Sequence, residues 1–205
     1  MPAKQPIFIT GIGTGIGKTV VSAIITEKLK ADYWKPVQAG DLEDSDTLKV
    51  QNLISNDVSH FYPEAYRLTQ AYSPHKSAAI DKIVIDIQNI VPPQTDNQLI
   101  IEGAGGLMVP LNDNFLMIDV IKQLNAKVIL VSQNYLGSIN HTLLSLLALK
   151  KYNIPVMGII FNGDKDIYSK TYILNYSNVI ELGHIPTYDA VNKKMIIEAG
   201  TRITL

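Results

Sequence analysis

A glycine-rich stretch that ends in Lys18 and Thr19 has the residue types and spacing best suited to chemistry. Its four glycines, between positions 11 and 17, allow successive backbone N–H groups to converge on an anion. The Lys18 ammonium could reach the outer phosphates of a nucleotide, and the Thr19 hydroxyl could ligate Mg²⁺. An apolar run at 7–9 precedes the stretch, and apolar residues at helical spacing follow it. This context predicts a phosphate-binding loop rather than an ordinary glycine-rich turn.

The glycine spacing narrows the kind of nucleotide that the loop could bind. Five residues separate Gly11 from Gly17, whereas the standard phosphate loop has four between its two glycines. The dinucleotide pattern G-x-G-x-x-G fails in both registers, because Ile16 and Lys18 stand where its last glycine would be. The spacing therefore favours a nucleoside triphosphate over NAD.

Three charged residues come at the ends or starts of predicted elements. Lys35 lies near the end of a predicted strand at 33–37, where it could stabilise a phosphoryl group, although an exposed lysine would look the same. Glu102 directly follows a strongly predicted strand at 98–101, and ligands of open α/β sheets bind beyond such strand ends. Asp46 could share Mg²⁺ with Glu102, although an acidic residue at a helix start is also ordinary capping.

Other polar residues give weaker indications. Gly137 and Ser138 open a predicted helix whose N–H groups could hold a carboxylate, although a plain connection with a serine cap is equally compatible. The four histidines show no metal-ligand spacing, and no Ser-His-Asp arrangement is legible.

The composition excludes several classes of protein. The 205 residues are 46% hydrophobic and 18% charged, which indicates a globular chain with a net charge of −1. The sequence has no stripe of basic residues that would indicate binding to nucleic acid or to an anionic membrane. The absence of cysteine rules out disulfides, thiolate metal sites and cysteine nucleophiles. No long apolar region precedes the first strand, so we expect a cytoplasmic protein without membrane spans.

Strand-like and helix-like segments alternate along the chain, which predicts an α/β fold. We expect one domain over 1–205, with a mostly parallel sheet flanked by helices on both faces and a phosphate loop of the P-loop NTPase type. The predicted strands after the first two are 98–101, 127–132, 156–161 and 179–182. The predicted helices after the loop are 47–54, 117–124, one ending near 152, and one near 170–176, with a short helix from 74 to 79. Residues 83–91 are ambiguous between strand and helix.

Taken in order, these motifs resemble those of the dethiobiotin synthetase family, and the resemblance covers nearly the whole chain. Each motif is short, but their order and placement are jointly specific. The segments that carry the resemblance are Thr10–Thr19, Lys35–Gly40, Ser45-Asp46, Ser73–His75, Glu102–Gly106 with Pro110-Leu111, Leu136–His141, Asn162 and Gly183–Pro186.

The resemblance implies an ATP- and Mg²⁺-dependent ligase of biotin biosynthesis that acts on 7,8-diaminononanoate and CO₂. It implies that Lys35 and Lys18 act on a carbamate and a transferring phosphoryl group, and that Thr19, Asp46 and Glu102 bind Mg²⁺. The implied nucleotide-binding set is Gly15, Ile16, Gly17, Lys18, Thr19, Val20, Asp46, Glu102, Gly103, Ala104, Gly105, Asn162, Gly163, Pro186, Thr187 and Tyr188. The implied substrate-binding set is Lys35, Ala39, Ser73, Pro74, Leu136, Gly137, Ser138, Ile139 and Asn140.

The family is a homodimer, so the resemblance also implies that residues 136–140 act across a subunit interface. Three features depart from the family pattern. Ala39 replaces a hydroxyl residue that touches substrate in many members, and Gly15 replaces a glutamate found in some. The chain after Pro186 matches poorly, which affects the contacts to adenine.

Three other functions fit parts of the sequence. A partitioning ATPase would carry a lysine five positions before Lys18, where this chain has Gly13. An amide-forming ligase for corrin acids would usually add a domain with a cysteine nucleophile, which this chain lacks. A small-molecule kinase could use the same loop, but it would not need Lys35 together with the Glu102 segment.

Overall fold

The computed structural model describes residues 4–205, and the secondary structure given below refers to that part of the chain. The strands are β1 (Ile7–Gly11), β2 (Asp32–Trp34), β3 (Val37–Ala39), β4 (Phe61–Tyr62), β5 (Tyr66–Leu68), β6 (Leu99–Gly106), β7 (Lys127–Gln133), β8 (Val156–Asn162) and β9 (Glu181–Ile185). The α-helices are α1 (Lys18–Leu29), α2 (Asp46–Leu53), α3 (Pro74–Ile80), α4 (Met117–Gln123), α5 (Ser138–Lys151), α6 (Ile167–Ser177) and α7 (Lys193–Gly200). Short 3₁₀ turns occupy Leu42–Asp44 and Ile87–Asn89.

The main sheet of the described chain has seven strands in the order β4-β2-β6-β1-β7-β8-β9. Its ladders are parallel, with β1 between β6 and β7 at the centre. Because parallel strands present their carboxyl ends at one edge, the segments after β1 and β2 meet the end of β6 there. This edge is where the glycine-rich loop connects β1 to α1.

Alternating side chains of the central strand β1 pack into two different hydrophobic cores, one on each face of the sheet. Ile7 and Ile9 face the cluster formed with α1 and α7, whereas Phe8 faces the cluster formed with α4. A third cluster joins β7 and β8 to α5 and α6. Helices therefore cover both faces of the sheet, and the predicted α/β class with a mostly parallel sheet is confirmed. Among residues 4–205, no helix has the length and apolar character needed to cross a membrane.

Several predicted boundaries are wrong. The single strand predicted at 33–37 is two strands in different sheets, because Lys35 and Pro36 interrupt it and β3 forms a separate two-stranded sheet with β5. Proline lacks the N–H that a continuing ladder needs. The strand predicted at 98–101 continues to Gly106, so Glu102 lies within β6 and not just beyond it. The strand predicted at 179–182 is shifted to Glu181–Ile185.

Other elements escaped prediction because they are short or lack a clear apolar period. The two-residue strand β4 and the three-residue strand β5 lie within residues 55–80, whose apolar residues show no clean period. The ambiguous stretch 83–91 is irregular apart from the 3₁₀ turn at Ile87–Asn89. Helix α7 was also missed, although it buries Met195 and Ile196 against α1.

The end of the chain is held against β9 at Gly183, which forms an antiparallel bridge with Ile203. A Cβ added to Gly183 would overlap the carbonyl oxygen of Arg202, which is a backbone atom and not the end of a flexible side chain. We expect Gly183→Ala to lower the free energy of unfolding by about 1–3 kcal/mol, measured by urea denaturation.

Gly13→Ala is the matched control, because a Cβ there would have no neighbouring atom within 4 Å. Its free energy of unfolding should stay within about 0.5 kcal/mol of the parent value. Equal stability of the two variants would show that the terminal segment is not packed against Gly183.

Candidate active site

A cleft of about 630 Å³ lies at the sheet edge where the segments after β1 and β2 meet β6. It combines residues from distant parts of the sequence, including many that the sequence analysis selected. The predicted residues that line it are Gly15, Gly17, Lys18, Thr19, Val20, Lys35, Ala39, Asp46, Ser73, Pro74, Glu102, Ala104 and Gly105.

The glycine-rich loop forms one wall of the cleft and leads directly into α1. Gly17 precedes the helix with φ of 92°, a left-handed conformation that favours glycine. A Cβ on Gly17 would also meet the Asn162 side chain, whose amide Nδ2 donates to the Ile16 carbonyl at 2.9 Å. The Lys18 Nζ donates to the Gly13 carbonyl at 2.8 Å, so the lysine folds back over its own loop. The loop is therefore supported from both β8 and α1.

The Glu102 carboxylate is the centre of a cluster of polar side chains beside this loop. It is 1% exposed and accepts hydrogen bonds from three side chains. The Thr19 hydroxyl donates to Oε1 at 2.8 Å, and the Tyr33 hydroxyl donates to Oε2 at 2.9 Å. The Lys35 Nζ lies 3.3 Å from Oε1. A buried carboxylate is thus balanced by a cation and two hydroxyl groups.

Asp46 joins this cluster from the first turn of α2. Its Oδ2 lies 2.6 Å from the Lys35 Nζ, which places the ammonium between two carboxylates. The Ser45 hydroxyl accepts from the Leu48 amide and caps α2, so Asp46 is not needed for that bond. The Gln38 side chain also accepts from the Asp46 amide at 3.3 Å. The structure therefore places Asp46 in the cluster of charges as well as at a helix start.

Burial and neighbouring charges move the two lysines in opposite directions. Burial lowers the pKa of Lys18 to about 8, although Glu102 opposes the change. Burial also disfavours the charged form of Lys35, but Glu102 and Asp46 outweigh it and raise its pKa. For Asp46, burial favours the neutral acid, yet the Lys35 ammonium prevails and lowers the pKa of the carboxyl. At neutral pH both lysines are mostly cationic, but Lys18 loses its proton as the pH rises above about 8, whereas Lys35 keeps its charge.

The oxygens around Lys35 are suited to a hard divalent cation as well as to the ammonium. The Thr19 hydroxyl and the carboxylates of Asp46 and Glu102 supply oxygen donors on one side of the cleft. This donor set leaves coordination positions for phosphate oxygens, which is how Mg²⁺ is usually held beside a nucleotide. The arrangement can therefore bind a polyphosphate and stabilise negative charge beside it.

Several predicted nucleotide-binding residues lie outside this cleft. The Ile16 side chain is in the core with α1, and a Cβ on Gly103 would meet the Phe8 ring. Asn162 and Gly163 stand at the end of β8, where the Gly163 amide donates to the Ile185 carbonyl. Beyond β9, the Thr187 hydroxyl donates to Asp164 at 3.0 Å. Pro186 precedes that threonine, and Tyr188 packs against the core that contains α1.

The predicted substrate-binding turn at 136–140 also lies away from the cleft within one chain. Leu136 is fully exposed, and Gly137 has φ of 103° where α5 begins. Ser138 is buried at that start, with its carbonyl accepting from Thr142. Ile139 and Asn140 form the first turn of α5, and Ile139 packs towards the cluster under α6.

Two polar residues near this cluster, Tyr33 and Gln38, are not among the predicted site residues. Tyr33 is buried with its hydroxyl on Glu102, and Gln38 lines the cleft. The twofold period of a strand places Tyr33 on the same side as Lys35, which is a signal that could have identified it. Gln38 follows Pro36 in the second sheet, where no periodic pattern is visible.

Curated relatives of this chain share one name, and a family model covers most of the chain. A family model described as an AAA domain matches residues 5–195. The ATP-dependent dethiobiotin synthetase BioD of Christiangramia forsetii is 53% identical over 194 residues, covering 93% of each chain. The protein of the same name from Cytophaga hutchinsonii is 49% identical, covering 96% of this chain and 95% of the relative.

Solved structures share the fold at much lower identity. A ParA family ATPase from Chlorobium tepidum has a TM-score of 0.58 at 13% identity, covering 98% of this chain and 99% of that one. The MinD cell division protein of Aquifex aeolicus has a TM-score of 0.56 at 16% identity, covering 97% and 96%. These similarities support the P-loop NTPase fold, and at this identity they support the fold alone.

Removing the Lys35 ammonium should leave Asp46 and Glu102 facing each other without a cation. We expect Lys35→Met to lower the free energy of unfolding at pH 7 by about 3 kcal/mol, measured by urea denaturation. Because the folded-state pKa of Asp46 is lowered, the contribution of that carboxylate is present above its ordinary value of 3.8. The loss caused by the substitution should therefore shrink as pH falls below that value.

Lys49→Met is the control, since Lys49 pairs with Asp44 at 3.5 Å on the surface. Its effect should be at most about 0.5 kcal/mol, because exposed ion pairs contribute little. Equal losses in the two variants would contradict a special role for the buried cation.

Proposed function

Because the chain belongs to the dethiobiotin synthetase family, we propose that it converts 7,8-diaminononanoate, CO₂ and ATP into dethiobiotin, ADP and phosphate. One amine of the substrate takes up CO₂ as a carbamate. The γ-phosphoryl group of ATP then transfers to the carbamate and gives a mixed anhydride. The second amine attacks the carbonyl carbon, which closes the ureido ring and expels phosphate. The enzyme is an ATP-dependent ligase, and this route needs no covalent enzyme intermediate.

The observation that carries the proposal is the convergence of Lys18, Lys35 and Glu102 on one cleft beside the phosphate loop. The reaction moves a phosphoryl group between two anionic partners, so its main requirement is positioning and stabilisation of negative charge. We assign Lys18 and the loop amides to the triphosphate, and Lys35 to the carbamate and the transferring group. Lys35 suits this role because its neighbours raise its pKa and keep it cationic.

We further propose that Thr19, Asp46 and Glu102 hold Mg²⁺ with the phosphates. Their hydroxyl and carboxylate oxygens are hard donors gathered on one wall of the cleft. When bound there, Mg²⁺ would neutralise charge on the phosphates. Asn162 and the segment Pro186–Tyr188 are assigned to the adenine side, where the chain closes over the end of β8.

A second copy of the chain would bring the remaining predicted residues into use. The turn at 136–140 lies outside the cleft of its own chain, and none of the described side chains caps the start of α5. Leu144 and Leu147 leave more than half of their surface exposed farther along the helix. We propose that a partner subunit covers this face, with the amides at the start of α5 holding the substrate carboxylate in the partner's cleft. The protein would then bind its small-molecule substrates and a second copy of its own chain. We expect it to act in the cytoplasm.

The direct test combines purified protein with ATP, Mg²⁺, bicarbonate and 7,8-diaminononanoate, and measures ADP and dethiobiotin. We expect ADP release that depends on the diamine, with one dethiobiotin formed for each ADP. Lys35→Ala is the matched variant, and it should lose turnover by a factor of about 100 or more while still binding nucleotide through Lys18 and the loop. ADP release that ignores the diamine would indicate a different ATPase or a kinase.

Nucleotide affinity should depend on the protonation of Lys18. Its pKa of about 8 in the free protein means that the ammonium is present below pH 8 and is lost as pH rises above it. A bound polyphosphate favours the charged form, so binding above pH 8 must take up a proton. We expect the affinity for a non-hydrolysable ATP analogue to fall by up to about tenfold per pH unit above 8, measured by calorimetry.

Lys18→Arg is the control for this pH dependence, since a guanidinium stays protonated throughout the range. Its affinity should be nearly constant between pH 7.5 and about 9.5, whatever its absolute value. The same decline in both proteins would assign the pH effect to another group.

A further inference from the structure

Tyr33 is a fully buried tyrosine whose hydroxyl reaches the charged cluster of the cleft. Its side chain belongs to the core formed with α1, and its ring lies 5.9 Å from that of Phe61 at a tilted angle. The hydroxyl donates to the Glu102 Oε2 at 2.9 Å. Packing fixes the ring, and the ring in turn fixes the position of this donor.

The sheet register explains why the hydroxyl meets the carboxylate. Tyr33 is the central residue of β2 and pairs with Ile100 of β6. Glu102 lies two residues farther along β6, so it points to the same side of the sheet as Ile100. Both residues therefore stand on the face covered by α1, from which Thr19 also reaches the carboxylate.

The two oxygens of Glu102 have different partners. Oε2 accepts from Tyr33, whereas Oε1 accepts from Thr19 at 2.8 Å and lies 3.3 Å from the Lys35 ammonium. Tyr33 thus binds one oxygen from the core, whereas the other oxygen contacts two residues that line the cleft. Burial, followed by the negative charge of Glu102, raises the pKa of Tyr33 well above its ordinary value of 10. The phenol accordingly remains a donor throughout the range in which enzymes work.

We propose that Tyr33 is a positioning residue, which orients the Glu102 carboxylate so that Oε1 is held ready for Mg²⁺ bound with nucleotide. The inference rests on the proposed function for the assignment of Glu102 to Mg²⁺. It adds that Tyr33, a core residue that does not line the cleft, determines how well the Glu102 carboxylate binds Mg²⁺. A hydrogen-bonded partner behind a metal-binding carboxylate fixes its rotamer and strengthens binding.

Tyr33→Phe removes the hydroxyl and keeps the ring in the core. Without the donor, Glu102 should rotate among several orientations and present Oε1 less often. We expect the affinity for AMP-PNP in saturating Mg²⁺ to fall about tenfold, measured by calorimetry. The affinity measured in EDTA should be unchanged, because the loop and Lys18 do not depend on Tyr33. A purely structural defect would lower both affinities together.

Tyr62→Phe is the matched control from the neighbouring strand β4. Its hydroxyl donates to the buried Asp32 carboxylate at 3.1 Å, at the start of β2 and away from the cleft. The substitution therefore removes the same kind of bond without touching Glu102. We expect unchanged nucleotide affinities with and without Mg²⁺. A loss of the Mg²⁺ effect equal to that of Tyr33→Phe would overturn the inference.

The double variant Tyr33→Phe/Glu102→Gln gives a second test that does not rely on one substitution. If Tyr33 acts through Glu102, adding Tyr33→Phe to Glu102→Gln should change the Mg²⁺-dependent affinity by less than about twofold. A further tenfold loss in that background would show that Tyr33 acts elsewhere. If Tyr33→Phe keeps the Mg²⁺ effect and Glu102→Gln loses it, the positioning role of Tyr33 is overturned, but the proposed magnesium site stands. Absence of any Mg²⁺ effect in the parent protein would instead overturn the proposed magnesium site.

Discussion

The interaction on which the site depends is the compensation of one buried carboxylate, Glu102, by donors from separate elements. Transferring a carboxylate out of water is costly unless charge and hydrogen bonds replace the solvent. Here β2 supplies Tyr33, the segment after it supplies Lys35, and the start of α1 supplies Thr19. These donors meet because β6 lies between β1 and β2 in the sheet. The strand order is therefore a condition for placing this charge at all.

The two lysines of the cleft are similarly buried, but their pKa values are shifted in opposite directions. Lys18 and Lys35 are both nearly inaccessible to solvent, at 7% and 4% exposure. Lys35 is flanked by two carboxylates, and its pKa rises, whereas Lys18 has a carbonyl as its hydrogen-bond partner and its pKa falls. Lys35 is already balanced within the protein, while Lys18 would gain a balancing charge from phosphate in the proposed function. This division suits a loop that must bind and release a charged ligand at each turnover.

The predicted site residues lie in two kinds of place, on the central strands of the sheet and on segments at its periphery. The cleft between the phosphate loop and β6 rests on central strands with strong parallel pairing and two packed faces. The start of α5 and the segment after β9 lie at the periphery, and their predicted ligand contacts fall outside that cleft. The charged side chains of the cleft thus stand on the packed centre of the sheet. In the proposed function, the more distant parts of the ligands would be bound by these surface segments, and the start of α5 would act in the cleft of a second chain.

The sequence alone determined the phosphate loop, because glycine spacing, Lys18, Thr19 and the flanking apolar patterns are all local. It also determined the α/β class, since helix and strand periods are visible within short windows. The two carboxylates could be selected as candidates, but not placed, because Asp46 and Glu102 are far apart in the sequence. Only the tertiary structure decided that Lys35 lies between them and that the strand predicted around it is broken at Pro36. Tyr33 looked like an ordinary core residue, and strand register, which is a long-range property, turned its hydroxyl towards the charge.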